Sequence, residues 1–229
     1  MPWIYIPALS PEDWRRFLAE PDTQWRIGFS ARAVAHAWQE AAGFPSEVAA
    51  LLDSASDINL RRAQLLFAFP EHKVHFPPSD ARPSQSDVFA LAKSVNGQLI
   101  SIAVEAKVSE PFAQTVDEWS HGSTGGKEER LGFLTAKLGL ANKQVGHIRY
   151  QLMHRMVSAV LEAERFNAGY ALLVVQSFSQ SDEWFGDFRE FVSLYGQTAE
   201  VGKLVELGES DKVPMLAGWA KGSAKYLDA

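Results

Sequence analysis

Apolar and polar positions alternate most clearly over residues 82–110, RPSQSDVFALAKSVNGQLISIAVEAKVSE. Residues 88–93 and 99–108 are apolar or β-branched, with the turn chemistry Val95-Asn96-Gly97 between them, and this predicts a β-hairpin over 84–108. On the second strand Glu105 and Lys107 are two apart and share a side of the sheet, while Val104, Ala106 and Val108 point to a core. Parity then decides where Asp87 falls. A two-residue loop at Asn96-Gly97 would set Asp87 against Ala106 and Val88 against Glu105. A three-residue loop closed by a left-handed Gly97 pairs Val88 with Val104, Ala90 with Ile102, Ala92 with Ile100 and Asp87 with Glu105. A one-residue slip inverts every side chain, so burial of the apolar set selects the second register.

Around the hairpin the pattern is helical first and mixed afterwards. Ser10-Pro11-Glu12-Asp13 predicts a capped helix as far as Glu20, and Ser30 starts a second that stops at Gly43. Ser46 and Asp57 are caps for two more, the last covering INLRRAQLLFAF, so that residues 1–70 form a helical layer. A first strand is expected at 73–76. After a loop-rich stretch come a helix over 127–138 and a longer one over 145–166, with Ile148, Leu152, Met156, Ala159 and Ala163 on one stripe. YALLVVQSF has aliphatics without alternation, as a central parallel strand requires, which completes a crossover helix and strand over 145–178. A helix over 184–194 and edge strands near 203–207 and 215–221 fill residues 183–229.

Composition narrows the class. A chain of 229 residues with 46% hydrophobic and 22% charged residues is long enough for one α/β domain with a substantial core. It has no cysteine, which excludes disulfides, thiolate zinc sites and cysteine nucleophiles and suits a reducing cytoplasm. Neither a signal peptide nor an apolar run of membrane-spanning length is read, so a soluble cytoplasmic protein without membrane association is expected. Net charge is −6, yet residues 121–165 hold seven Lys/Arg against four Asp/Glu. The only basic region follows the hairpin directly.

The predicted register sets Asp87, Glu105 and Lys107 on one face. Two carboxylates in one place favour a bound divalent cation, since otherwise one of them holds a proton. Oxygen ligands without cysteine or a histidine pair point to Mg²⁺ or Mn²⁺. The alternative is a solvated strand on which Lys107 makes a cross-strand salt bridge. An acid and a lysine in so apolar a strand as IAVEAKV favour the site. HGSTGGK is no phosphate loop: three residues separate Gly122 from Gly126, and Glu128 follows the lysine where Ser or Thr is needed.

Asp87 on one strand and Glu105-Ala106-Lys107 on the next resemble the PD-(D/E)XK nuclease superfamily, with Ser86 in place of the proline. RPSQSDVFALA, VEAKVSEPF and GKEERLGFL are also similar to a family of uncharacterised bacterial proteins. The first resemblance implies a restriction-endonuclease-like fold: a mixed central sheet with an αβββαβ core, flanked by helices. It implies Asp87, Glu105 and Lys107 as catalytic residues, with Asp87, Glu105 and the Ala106 carbonyl as metal ligands. It also implies a further helical acid, Glu40 or Glu71, and a helix residue such as Gln151 or Arg155 near the metal or phosphate. Arg149, His147 and Lys143 would be phosphate contacts. The expected function is Mg²⁺- or Mn²⁺-dependent hydrolysis of phosphodiester bonds, in DNA rather than RNA, with a homodimer possible. The alternative is a non-catalytic interaction module that keeps the nuclease fold as a scaffold for a protein or nucleic acid.

Overall fold

The strands β1 (Gln64–Val74), β2 (Ser84–Lys93), β3 (Leu99–Lys107), β4 (Tyr170–Ser177), β5 (Leu204–Ser210) and β6 (Val213–Lys221) form one six-stranded sheet. The structure is a computed structural model, described here for residues 8–78, 82–122 and 125–229. The first seven residues and Ser123-Thr124 of the glycine-rich loop, which figured in the readings of the N-terminus and of HGSTGGK, lie outside the described residues. Strand order is β1-β2-β3-β4-β6-β5. β3, β4 and β6 are mutually parallel, while β1, β2 and β5 run antiparallel to their neighbours.

Helices cover both faces: α1 (Pro21–Gln24), α2 (Ser30–Glu40), α3 (Ser46–Asp53), α4 (Val116–Ser120), α5 (Gly125–Lys137), α6 (Tyr150–Phe166) and α7 (Phe185–Ser193). Strand alternation divides the core in two. Val88, Ala90, Ile102, Val104, Leu172 and Val174 face α2 and α3. Ala103, Leu173, Val175, Ala217 and Trp219 face α6 and α7. Every residue of β4 is buried, as its unbroken aliphatic run predicts. The hairpin takes the expected register, with Val88 opposite Val104, Ala90 opposite Ile102 and Ala92 opposite Ile100. Its loop is closed by the Ser94 N–H on the Gln98 carbonyl at 2.9 Å, and Gly97 has φ +90°. That is the left-handed residue a three-residue loop needs.

Four expectations are corrected. Asp57 does cap, accepting the Asn59 N–H at 2.9 Å, but only a 3₁₀ turn, Ile58–Leu60, follows. The rest of the expected helix is the first half of β1, which pairs along β2 from Gln64 to Val74. Phe67 and Phe69 share one side while Leu65 and Ala68 pack on the other across a bulge, and a ladder beside buried β2 outweighs helix propensity there. The N-terminal helix is a 3₁₀ segment, Pro11–Phe17, with α1 beginning at Pro21. Helix α6 starts at Tyr150, not 145, because the preceding stretch runs beside Thr115, bridged at Arg149. Finally β6 is no edge: it lies between β4 and β5, and a Cβ on its Gly218 would stand 2.7 Å from the Leu51 side chain. Among the described residues, no helix is long and apolar enough to cross a membrane.

Candidate active site

β2 and β3 part company at one point. Their ladder ends at Val88–Val104, after which β2 stays with β1 (Ser86 opposite His72) and β3 with β4 (Lys107 opposite Ser177). Asp87 stands in the opening. Its Oδ2 accepts the Ala106 N–H at 2.6 Å, taking over from the strand as hydrogen-bond partner. The two main-chain groups of a strand residue face the same neighbour, so the Ala106 carbonyl looks into the same gap, whereas that of Lys107 accepts the Phe178 N–H on the β4 side. The gap opens at the carboxyl end of β3 into a cleft of about 950 Å³, lined by Glu71, Asp87, Glu105 and Lys107 among others. Ligands in open α/β sheets gather at carboxyl ends of strands.

Glu105 is only 2% exposed and is held from three directions. Its Oε1 accepts from Lys107 Nζ and from Gln151 Nε2, and its Oε2 from Arg155 Nε, each at 2.6 Å. Burial pushes this carboxyl's pKa up, but the Lys107 and Arg155 charges more than offset it and hold the group below its usual range. Arg155 reaches further, to Ser84 Oγ at 2.9 Å and His154 Nδ1 at 3.1 Å. A guanidinium only donates, so Nδ1 accepts and the ring proton sits on Nε2. Burial first, and then the Arg155 and Arg130 charges, drive the imidazole pKa well below its ordinary value. His154 is therefore a neutral donor.

Asp87 and Glu71 are the opposite case. Burial, and then the Glu105 charge, push Asp87 up to about 7. Burial, and then Asp87, push Glu71 up to about 8. Glu71 accepts from Gln85 Nε2 at 2.7 Å and has φ +53° inside β1, a costly backbone for a non-glycine residue.

The residues named from the sequence divide accordingly. Asp87, Glu105, Lys107, Gln151 and Arg155 all line the cleft, and so does Glu71, from a strand and not from a helix. Glu40 does not line it: at the end of α2 its carboxylate takes Lys225 Nζ at 2.8 Å and Tyr226 Oη at 3.1 Å. Arg149 is the N-cap of α6 and turns to Asp187, 3.0 Å away. His147 is near Glu190, at 3.8 Å. Neither Arg149, His147 nor Lys143 is among the lining residues. Sequence reasoning passed over His154, Ser84, Tyr150 and Arg130. Tyr150-Gln151 and His154-Arg155, four apart, put a polar face on an otherwise apolar helix, and that spacing was the available signal.

Glu71, Asp87, Glu105 and the Ala106 carbonyl are hard oxygen donors of the kind Mg²⁺ or Mn²⁺ takes. Among the described residues no three acid or imidazole groups converge as a ready ligand set; Glu105 is turned to its basic partners. The fit rests on the other two acids. They share a half-buried corner where ionising either is opposed, and a divalent cation there would favour the charged form.

Neither the curated proteins nor the solved structures offer a match to this chain. A family model does match, over residues 7–224, a span that holds all six strands and the whole cleft. The chain belongs to the family described as a domain of unknown function, DUF6946.

Proposed function

We propose that the cleft is the active site of a metal-dependent nuclease hydrolysing phosphodiester bonds, on a sheet arranged as in the PD-(D/E)XK enzymes. One observation carries the reading: Asp87 stands where β2 and β3 separate, hydrogen-bonded to the middle residue of Glu105-Ala106-Lys107. The element order supports it too, with three antiparallel strands, helix α6 and then β4 parallel to β3.

Asp87, Glu71 and the Ala106 carbonyl would hold the cation, joined by Glu105 where it exchanges a basic partner for the metal. When bound, it supplies a water of lowered pKa and charge stabilisation for the phosphorane-like transition state. The chain's own residues do the rest. Lys107, 5% exposed and hydrogen-bonded to Glu105, presents a desolvated positive charge to an incoming phosphate and orients the attacking water. Gln151 and Arg155 fix the Glu105 carboxylate so that Lys107 keeps one position. His154 Nε2 would offer a neutral hydrogen-bond donor to a phosphate oxygen.

The test is an assay on linear and supercoiled DNA, with RNA in parallel, in Mg²⁺ and in Mn²⁺. Cleavage is expected in both metals, with DNA preferred, and is lost in Asp87→Ala and Glu105→Ala. Cutting that survives both substitutions would remove the reading. A scaffold without chemistry is the second reading, favoured by the saturation of Glu105 with three protein donors. It predicts no heat on titration with Mn²⁺ and no activity on either polymer.

A further inference from the structure

The α5 wall of the cleft carries a charge that nothing in the mechanism uses. Arg130 is 6% exposed and lines the cleft. Its Nε donates to Tyr150 Oη at 2.6 Å, and its guanidinium lies 4.2 Å over the Phe76 ring. Nη1 is buried without a hydrogen-bond partner, and among the described residues Arg130 makes no ion pair. The contrast with Arg155 is direct: that arginine, equally buried, has the Glu105 carboxylate at 2.6 Å. A guanidinium removed from water without a carboxylate is costly, and a phenol and a ring face compensate only part of it.

The surroundings favour an anion. Lys127, one turn earlier on α5, lines the same cleft and anchors its Nζ on the Trp119 carbonyl at 2.7 Å. Trp119 stacks on Tyr150, with ring centroids 4.0 Å apart and planes 8° off parallel. This stack holds in place both the phenol that orients Arg130 and the carbonyl that orients Lys127. A planar fork of unused N–H groups beside a second cation matches the oxygens of a phosphate. An arginine kept only for the Tyr150 hydroxyl and the Phe76 ring would need no second cation beside it.

We propose that Arg130 and Lys127 form an anion subsite that takes a phosphate group on the α5 wall of the cleft. The subsite stands on its own geometry. Its use rests on the nuclease reading: the phosphate it holds belongs to a nucleotide next to the one cut.

The test is calorimetric titration of the full chain with inorganic phosphate in metal-free chloride buffer. Saturable binding at one site is expected, weakened at least tenfold in Arg130→Gln, severalfold in Lys127→Ala, and no weaker than the parent's in Asp87→Asn. Thermal melts show which variants fold. Should Arg130→Gln fail to fold, Arg130→Lys and Lys127→Ala decide, and phosphate affinity equal to the parent's in both overturns the subsite. Absence of saturable binding by the parent chain overturns it as well. Oligonucleotides with and without a 5′-phosphate, run against free phosphate, separate the sources: competition by the phosphorylated one alone assigns the site to a chain end, and competition by both assigns it to the backbone. Phosphate binding without any cleavage would remove the nuclease reading and leave the subsite. Cleavage with an unchanged KM in Arg130→Lys and Lys127→Ala, beside phosphate affinity equal to the parent's in both, would do the reverse.

Discussion

Glu105 and Asp87 stand on neighbouring strands and line one cleft, yet their surroundings treat them oppositely. On the β3–α6 side, Lys107, Gln151 and Arg155 converge on Glu105 and keep it ionised. On the β1–β2 side, Asp87 and Glu71 have between them one backbone N–H and one amide, and both are pushed up. The difference teaches what each side is for. A carboxylate with its counter-charges in place is preorganised and stable; a pair without them costs stability that a proton or a bound cation returns.

The largest effect that would break this comparison lies in catalysis. Lys107→Ala is expected to lower turnover by about 10²–10⁴-fold while the Mn²⁺ affinity stays, measured by single-turnover cleavage and by titration. Unchanged turnover would leave the Glu105 side with a structural task alone.

Stability comes next, and here the two acids should differ in sign. Glu105→Gln strands Lys107 and Arg155 without a buried counter-charge and should cost about 3–5 kcal/mol in metal-free denaturant titrations. Asp87→Asn removes a charge that burial and Glu105 both oppose, so it should stabilise the metal-free protein by about 1–3 kcal/mol at pH 8. Equal losses in both variants would mean that the cleft makes no such distinction.

The pH dependence follows with a smaller effect. Asp87 at about 7 and Glu71 at about 8 bind protons in the folded chain that the unfolded chain has already released. Stability of the metal-free protein should therefore fall as pH rises from about 4 to about 8. Glu105, held low, acts in the other sense, and only in more acidic solution. A melting temperature that drops by roughly 5 °C between pH 5 and pH 8, and a flatter profile in Asp87→Asn, are the expected readings. The smallest effect is at Glu40, where Glu40→Gln loses an exposed contact to Lys225 and should leave cleavage unchanged.

Much of this cleft is legible in the sequence because β-strands have a period of two. Once Gly97 is left-handed, the apolar set Val88, Ala90, Ala92 against Ile100, Ile102, Val104 admits one register, and Asp87, Glu105 and Lys107 follow onto one side. β4 was legible for the same reason, from composition alone. Glu71 was named, but its place was not: the stretch before it carries both helical and alternating patterns, and only pairing with β2 decides between them. Glu40 and Arg149 show the other limit. Each has helix spacing compatible with the cleft, and each finds a nearer partner, Lys225 and Asp187, that no local pattern announces. Arg130 is the extreme case, since its importance lies in a partner it lacks.

The most direct measurement is a crystal structure grown with Mn²⁺ and read at the manganese absorption edge. The account predicts an anomalous peak in the opening between β2 and β3, bonded to Asp87. A saturating Mn²⁺ concentration that leaves this opening without a peak, with the Asp87 Oδ2 still on the Ala106 N–H and Glu105 still enclosed by Lys107 and Arg155, would contradict it.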